Sequence, residues 1–215
     1  MVLLAIDRST DTQSVALAKD GKLTSKVFAG MDARSAEWPL RIRDFLSANG
    51  LSFADVDQIL VGQGPGSFAG IRAALAFAQG LALPADKSVV GLPSPMALTR
   101  DGAKTAVVGD ARRERYWVVL YDGVATVKDF FLVAKESLGA AVPDGYAVVT
   151  PDGARIDALL SALFGDRYKG SLVPLAGRLA EVAVAHPELC RPEPLPVYLQ
   201  PAVRGDTPPK KGMNP

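Results

Sequence analysis

The chain opens on a continuous apolar run, Val2-Leu-Leu-Ala-Ile6, closed by Asp7, and a polar turn, Arg8-Ser9-Thr10-Asp11, separates it from a second run, Ser14-Val-Ala-Leu-Ala18. Runs of about five such residues bounded by turn signals read as strands. Asp20-Gly21 is a hairpin dipeptide and leads into a third strand, Leu23 to Phe28. The period then becomes helical. Trp38, Ile42, Phe45 and Leu46 recur on one face, Pro39 is tolerable in the first turn, and Asn49-Gly50 is the stop signal. Ser52 to Val56 reads as a short capped turn into a strand at Ile59 to Gly62.

The stretch from Ile59 to Leu83 organises the rest. Gly64-Pro65-Gly66 is a turn that glycine backbones make cheaply. Ser67 is placed to cap the helix that follows, a contribution of about 1 kcal/mol, with Phe68 in its first turn. No proline intervenes before Pro84, so the helix runs for about 22 Å. Its only polar side chains, Arg72 and Gln79, fall near one edge, which predicts a helix buried nearly all round. Two unlike apolar faces result. Ile71, Leu75, Ala78 and Ala82 suit the helix's own sheet, while Ala69, Ala73, Ala76 and Gly80 form a smooth stripe elsewhere. Small residues let another helix approach closely, so the stripe predicts a second layer, from this chain or from a partner. Ser88 to Gly91 follows as a strand and Ser94 to Thr99 as a short helix.

Near residue 105 the pattern begins again: Val107-Val-Gly-Asp110, a polar turn with Arg112, Arg113 and Glu114, the run Tyr116 to Tyr121, and Asp122-Gly123. Val124 to Val133 and Ala147 to Thr150 read as strands, and Arg155 to Phe164 and Pro174 to Ala185 as helices. Two α/β lobes of the βββ-αβα kind follow, divided as 1–103 and 104–204, with a Pro/Gly/Lys-rich tail over 205–215 expected to be disordered. The similarity between the halves is one of pattern rather than identity, so the pattern alone leaves duplication open.

With 215 residues, 48% of them hydrophobic and 22% charged, the chain can bury a substantial core. A net charge of +1 gives no electrostatic reason for nucleic-acid binding by this chain alone. The single cysteine, Cys190, excludes an internal disulfide and a cysteine-based metal site. Val2 to Ile6 is too short for a signal segment, and no run of about 18 continuous apolar residues occurs, so the cytoplasm is the default location and no membrane role is expected.

Few chemistries survive inspection. Gly64-Pro-Gly66-Ser-Phe-Ala69 satisfies a loose dinucleotide pattern, but no acidic residue follows the next strand to hold a ribose, and no P-loop occurs. A tight turn with close helix packing and a phosphate cradle are both readings of these glycines, the first being favoured. Asp7 and Asp110 end core strands beside turns. They could hold metal and phosphate in a two-lobed phosphotransferase, or cap the backbone N–H groups of their own turns. With one histidine, His186, neither a histidine metal pair nor a Ser-His-Asp triad can form. His186 reads instead as a solvated residue at a helix C-terminus. Arg112, Arg113 and Arg115 could touch an anion or simply line a solvated face.

Leu4-Ala-Ile-Asp7-x-Ser9-Thr10 with Ser14 to Leu17, Gly62-x-Gly-Pro-Gly-Ser-Phe-x-Gly-Ile-Arg72, Ala78-Gln-Gly-Leu81, Asp110-Ala-Arg-Arg113 with Tyr116-Trp117, and Pro196-x-Tyr-Leu199 together resemble the TsaB (YeaZ) family over residues 1 to 204. The resemblance implies an ASKHA (actin-like, RNase H-like) fold. It also implies a non-catalytic subunit that pairs with the catalytic TsaD and, with the ATPase TsaE, supports threonylcarbamoyl transfer to N6 of adenosine 37 in tRNAs reading ANN codons. The partner would be met by the helices over Ser35 to Ala48 and Ser67 to Leu83, through Trp38, Ile42, Phe45, Ala69, Arg72, Ala73, Ala76 and Gly80. Gly64, Pro65, Gly66, Ser67 and Phe68 would be a structural motif, and Asp7, Ser9, Thr10 and Asp110 the candidate nucleotide positions. No cofactor is implied for the isolated chain, ATP or ADP at the complex interface remains open, and tRNA would be reached only through the complex. Ala69 stands where the family usually has Thr, Arg34 where many members carry His, and the histidine pair that holds metal in TsaD has no counterpart. A small-molecule phosphotransferase and a homodimeric interaction protein remain as alternatives.

Overall fold

A computed structural model describes residues 1–28 and 37–199. The first lobe begins with β1 (Val2–Asp7), β2 (Gln13–Lys19) and β3 (Lys22–Phe28). The β2–β3 connection is the expected two-residue hairpin, with Asp20 and Gly21 both left-handed at φ of 50° and 74°. Helix α1 (Trp38–Ala48), β4 (Gln58–Gly62), helix α2 (Phe68–Ala82) and β5 (Ser88–Leu92) complete the unit. The turn before β4 is a single 3-10 turn, Phe53–Asp55, closed by a capping box between Ser52 and Asp55. The segment after β5, Ser94–Leu98, is also 3-10 rather than α-helical.

The second lobe repeats this order with β6 (Lys104–Asp110), β7 (Arg115–Asp122), β8 (Ala125–Ala134), a one-turn helix α3 (Leu138–Ala141), β9 (Ala147–Thr150), α4 (Gly153–Phe164) and β10 (Tyr168–Ser171). Helix α5 (Ala176–Ala185) and the short strand β11 (Arg191–Pro192) follow. The sheets are ordered β11-β5-β4-β1-β2-β3 and β10-β9-β6-β7-β8. Without β11 the two orders superimpose element for element. In each sheet the opening strand pairs antiparallel with the next and parallel with the strand that follows the first helix.

The registers explain why β1 reads as an unbroken apolar run. Val2, Leu4 and Ile6 enter an outer core with Ile42 and Phe45 of α1 and Ile71, Leu75 and Ala78 of α2. Leu3 and Ala5 point the opposite way, into a core between the sheets with Val107, Trp117, Val119 and Tyr121. A strand covered on both faces has no polar side to show. A third cluster packs Ala106, Val108 and Val148 against Ile156, Leu160 and Phe164 of α4.

One boundary needs correction. Residues 104–204 do not all serve the second lobe, because α5 packs on β1, β2, β3 and β4 of the first sheet and β11 extends that sheet at β5. Ala176, Leu179, Ala180, Val182 and Ala183 supply the apolar face that the inner side of the first sheet requires, and the Ala176 N–H donates to Ser14 Oγ at 2.8 Å. The tail over 205–215, Arg34 and the start of the helix expected at Ser35 lie outside the described residues.

Candidate functional site

Asp7 ends β1 and is fully buried. Its Oδ1 accepts from the Ser9 N–H at 2.9 Å and the Ser9 hydroxyl at 2.6 Å, and its Oδ2 accepts from the Ser94 hydroxyl at 2.6 Å. The Gly64 N–H in turn donates to Ser94 Oγ at 3.0 Å, while the Ser94 N–H donates to the Gly64 carbonyl at 3.0 Å. Burial pushes the Asp7 carboxyl above its ordinary range, and the bonds from Ser9 and Ser94 pull it partly back. Asp7 therefore ties the first turn to the glycine loop.

The glycines are there because other backbone passes where their side chains would be. A Cβ at Gly62 would overlap the Asp7 carboxylate, one at Gly66 the Ser9 carbonyl, and one at Gly70 the Arg8 carbonyl. Ser67 caps α2, its Oγ accepting from the Gly70 N–H at 3.2 Å, and its own N–H donates to the Ser9 carbonyl at 2.7 Å. The Gly64, Ser67 and Gly70 amides are thus already bonded within the chain, which favours the tight-turn reading. A strap over residues 194–199 holds the loop from the other side. Gln63 Nε2 donates to the Leu195 carbonyl at 2.8 Å, the Val197 N–H donates to the Gln63 carbonyl at 2.9 Å, and the Tyr198 ring lies 5.5 Å from that of Phe68.

A cleft of about 730 Å³ lies between the lobes. Ser9, Thr10, Ser67 and Phe68 line one side, Asp110, Arg112, Asp152 and Arg155 the other, and Tyr198 borders it. Asp110 borders this cleft and Asp7 does not, so the two aspartates do not face one ligand across it. In the second lobe Asp152 Oδ2 accepts from the Asp110 N–H at 2.8 Å, and Arg155 pairs with Asp110 Oδ2 at 3.0 Å and with Asp152. Partial burial pushes the Asp152 carboxyl upward, against the pull of the Asp110 N–H and Arg155. The Arg112 N–H donates to Asp110 Oδ1 at 2.7 Å.

Helix α2 buries Gly70, Ile71, Ala74, Leu75, Ala78 and Ala82, each large side chain contributing about 1.5–3 kcal/mol. The all-round burial expected from its composition is not met within the chain. Ala69, Ala76 and Gly80 are exposed and Ala73 is half-buried, with Phe68 57% and Leu83 84% exposed at the two ends of the same helix. The 18 residues Phe68–Ala85, with mean hydropathy 1.3, are long and apolar enough to pass for a membrane span by composition. One face is nevertheless fixed in the lobe's core, and Arg72 projects from the other to lie over the Phe68 ring at 5.1 Å.

Comparison with known proteins gives this geometry its context. A family model described as TsaD, tRNA N6-adenosine threonylcarbamoyltransferase, matches residues 35–169. The chain is 34% identical over 124 residues to the tRNA threonylcarbamoyladenosine biosynthesis protein TsaB of Escherichia coli, covering 54% of each. It is 35% identical over 100 residues to the TsaB of Haemophilus influenzae, covering 46% of this chain and 42% of that one. A solved structure from Pseudomonas aeruginosa, described as an uncharacterized protein with similarity to peptidase YEAZ, superposes with a TM-score of 0.74 at 25% identity, covering 93% of this chain and 99% of that one. The chain belongs to the TsaB/YeaZ family. Its matched region spans about half the length of the curated relatives. The duplicated lobes are those of the ASKHA class, and the repetition seen in the sequence is a repetition of fold.

Set against the family's expected contact residues, α1 requires a correction. Trp38, Ile42 and Phe45 are 1%, 0% and 4% exposed and belong to the lobe's own core, so they cannot present themselves to a partner as placed here. The Trp38 ring meets Phe28 edge-on at 5.4 Å, and the guanidinium of the buried Arg8 lies 4.7 Å from its centroid. Arg8 Nε also donates to Gln13 Oε1 at 2.7 Å. What α1 turns outward is Leu40, Arg41, Arg43 and Asp44. The stripe on α2 and Arg72, by contrast, are open or half-open as a docking face requires. Thr10 Oγ1 donates to the Thr12 carbonyl at 2.9 Å, closing the first turn. Among the described residues no group of three His, Cys, Asp or Glu side chains converges as a metal site, and His186 is exposed beyond the end of α5, 3.3 Å from Glu188. Ser94, Gln63, Asp152 and Arg155 were not signalled by sequence. Only Asp152-Gly153, an N-cap type of residue before a helix, offered a cue.

Proposed function

We propose that this chain is a non-catalytic subunit in the formation of N6-threonylcarbamoyladenosine at adenosine 37 of tRNAs reading ANN codons, acting by docking a TsaD-type transferase on the open face of α2. The observation that carries this reading is that face: Ala69, Ala73, Ala76 and Gly80, flanked by Phe68 and Leu83, on a helix whose opposite side is anchored in the core. The names of the curated relatives supply the pathway. A TsaE-type ATPase and tRNA are reached through that assembly in the cytoplasm, and a second copy of the chain occupies the stripe when the partner is missing. An adenine nucleotide belongs to the assembled complex rather than to the isolated chain, since Asp7 spends its carboxylate on Ser9 and Ser94 and does not border the interlobe cleft.

Helices packed on such a stripe can approach to about 8 Å between axes. Ala76→Arg is expected to leave the monomer folded, because Ile71 and Leu75 carry the core contacts, and to abolish the heterodimer. A charge left unpaired in an apolar interface costs several kcal/mol, enough to turn a micromolar complex into an undetected one. Size-exclusion chromatography with the TsaD-type subunit, beside circular dichroism of the variant alone, tests this. A folded variant that still forms the heterodimer would place the interface elsewhere. The isolated chain is also expected to turn over no ATP and to hold no catalytic metal, and stoichiometric zinc or iron in the purified protein would overturn that.

A further inference from the structure

The turn between β6 and β7 has no part in the reading above, yet its backbone is the most unusual among the described residues. Arg112, Arg113 and Glu114 stand consecutively at φ of 68°, 53° and 56°. L-residues avoid such a left-handed run because Cβ crowds the following carbonyl oxygen. The equivalent turn between β1 and β2 joins strands of the same topology with no positive φ from Arg8 to Thr12. That turn has six residues between the paired Asp7 and Ser14, against five between Asp110 and Tyr116, so the shorter loop is the one that closes through the left-handed run.

Its effect is to present cations. The side chains of Arg112, Arg113 and Arg115 are all exposed, that of Arg112 by 68%, and its nearest carboxylate oxygen, on Asp110, is 3.6 Å away. Among the described residues Arg113 and Arg115 form no ion pair. The two carboxylates beneath the turn, Asp110 and Asp152, are already paired with Arg155. Arg112 thus shares Asp110 with Arg155 at the rim of the interlobe cleft, while Arg113 and Arg115 stand exposed beside Glu114 without an ion pair of their own among the described residues.

We propose that the Arg112–Arg115 turn is an RNA contact, holding backbone phosphates of the tRNA on which the assembled complex acts. This rests on the functional reading above and extends it to a surface that reading leaves idle. The guanidinium fork suits phosphate oxygens in bidentate fashion. A net charge of only +1 over the whole chain means that the contact is local. It adds to a surface completed by the partner rather than binding RNA autonomously. Phosphate contacts fix position without reading sequence, so the turn serves different tRNAs alike.

The test is fluorescence anisotropy of labelled tRNA with the complex of the full chain and its TsaD-type partner, across a salt series. The combined variant Arg112→Gln, Arg113→Gln, Arg115→Gln is expected to weaken binding roughly tenfold at low salt and to lower the slope of log K against log salt by about 2, each phosphate contact carrying about 0.7–0.9. The loss should be equal for tRNAs with different anticodons, and the three Arg→Lys replacements should retain most of the slope. A complex that forms normally with the Gln variant and shows unchanged affinity and slope overturns the proposal. A Gln variant that is folded but no longer forms the heterodimer would make the turn a protein contact, which also overturns it. If the unaltered chain forms no heterodimer at all, the functional reading fails and this proposal with it, an outcome distinct from the other two.

Discussion

In the first lobe the turn after the opening strand folds inward; in the second lobe the equivalent turn points out. Arg8 and Ser9 are buried, the carbonyl of Ser9 receives the N–H of Ser67, and the Asp7 carboxylate is enclosed by Ser9 and Ser94. Ala111 is half-buried, Arg112 to Arg115 are exposed, and the Asp110 carboxylate is bonded to Arg112 and Arg155 at the edge of solvent. The same topology and the same strand-ending aspartate have thus been put to different uses. The difference follows from what packs against each turn. A long helix preceded by a glycine loop presses on the first, and the glycines at 66 and 70 admit the Ser9 and Arg8 carbonyls. The second turn faces the start of α4, where Asp152 and Arg155 already satisfy one another and Asp110. Duplication supplies a frame, and the neighbours decide whether its corner becomes a joint or a surface.

The contrast is broken most directly at the two aspartates. Asp7→Ala removes the acceptor for three buried donors, and hydrogen bonds to a charged group are worth about 1.5–3 kcal/mol each before relaxation and relief of desolvation. A net loss of about 3 kcal/mol is expected, read as a fall in Tm of about 10 °C. Asp110→Ala, whose carboxylate is partly solvated, should cost about 1 kcal/mol. Equal losses in thermal melts of the two variants would remove the distinction between joint and surface.

A finer test uses pH. The Asp7 carboxyl titrates above its ordinary value in the folded chain, so between that value and its native pKa the folded state binds more protons than the unfolded state. Stability from this group is then largest in acid and declines as pH rises through that window, with a slope of at most about 1.4 kcal/mol per pH unit. Asp7→Asn lacks that slope. The stability difference, variant minus parent, should grow upward from about pH 4 and then level off, and Asp152, shifted in the same direction but present in both proteins, cancels. A difference that is flat with pH, from denaturant titrations, would mean the carboxyl is not held in this way. The smallest effect is expected at the open turn. Arg113→Gly removes a left-handed strain of about 1–2 kcal/mol but restores backbone freedom to the unfolded chain worth about 0.5–1 kcal/mol, leaving a net gain of about 0.5 kcal/mol. A loss of stability in the same titrations would show that the Arg113 side chain is anchored in the fold.

Much of this was legible in the order of residues. The strand cores, the Asp20-Gly21 hairpin, the Ser67 cap and both faces of α2 follow from local periodicity and turn chemistry, which depend on neighbours a few positions apart. What could not be read depends on distant partners. Nothing near Ser94 announces that it will donate to Asp7, 87 positions earlier, and nothing in Pro174 to Ala185 says which sheet that helix will cover. The α1 stripe misled in an instructive way. Trp38, Ile42 and Phe45 form an amphipathic face, and such a face is more often a helix's attachment to its own sheet than an offer to another protein. The α2 stripe differed because a helix with apolar residues on both sides has one side left over.

The return of α5 and β11 to the first sheet also sets an order of events during synthesis. When residues 1–103 have emerged from the ribosome they contain five of the six strands of the first sheet and its two outer helices, but Leu3, Ala5, Ala16 and Leu60 still lack the layer that will cover them. That layer is translated more than 70 positions later, and the bond from the Ala176 N–H to Ser14 spans 162 positions of the chain. Closing so long a loop is slow, and an uncovered apolar sheet is prone to aggregation in the meantime. The first lobe is therefore made early and finished last.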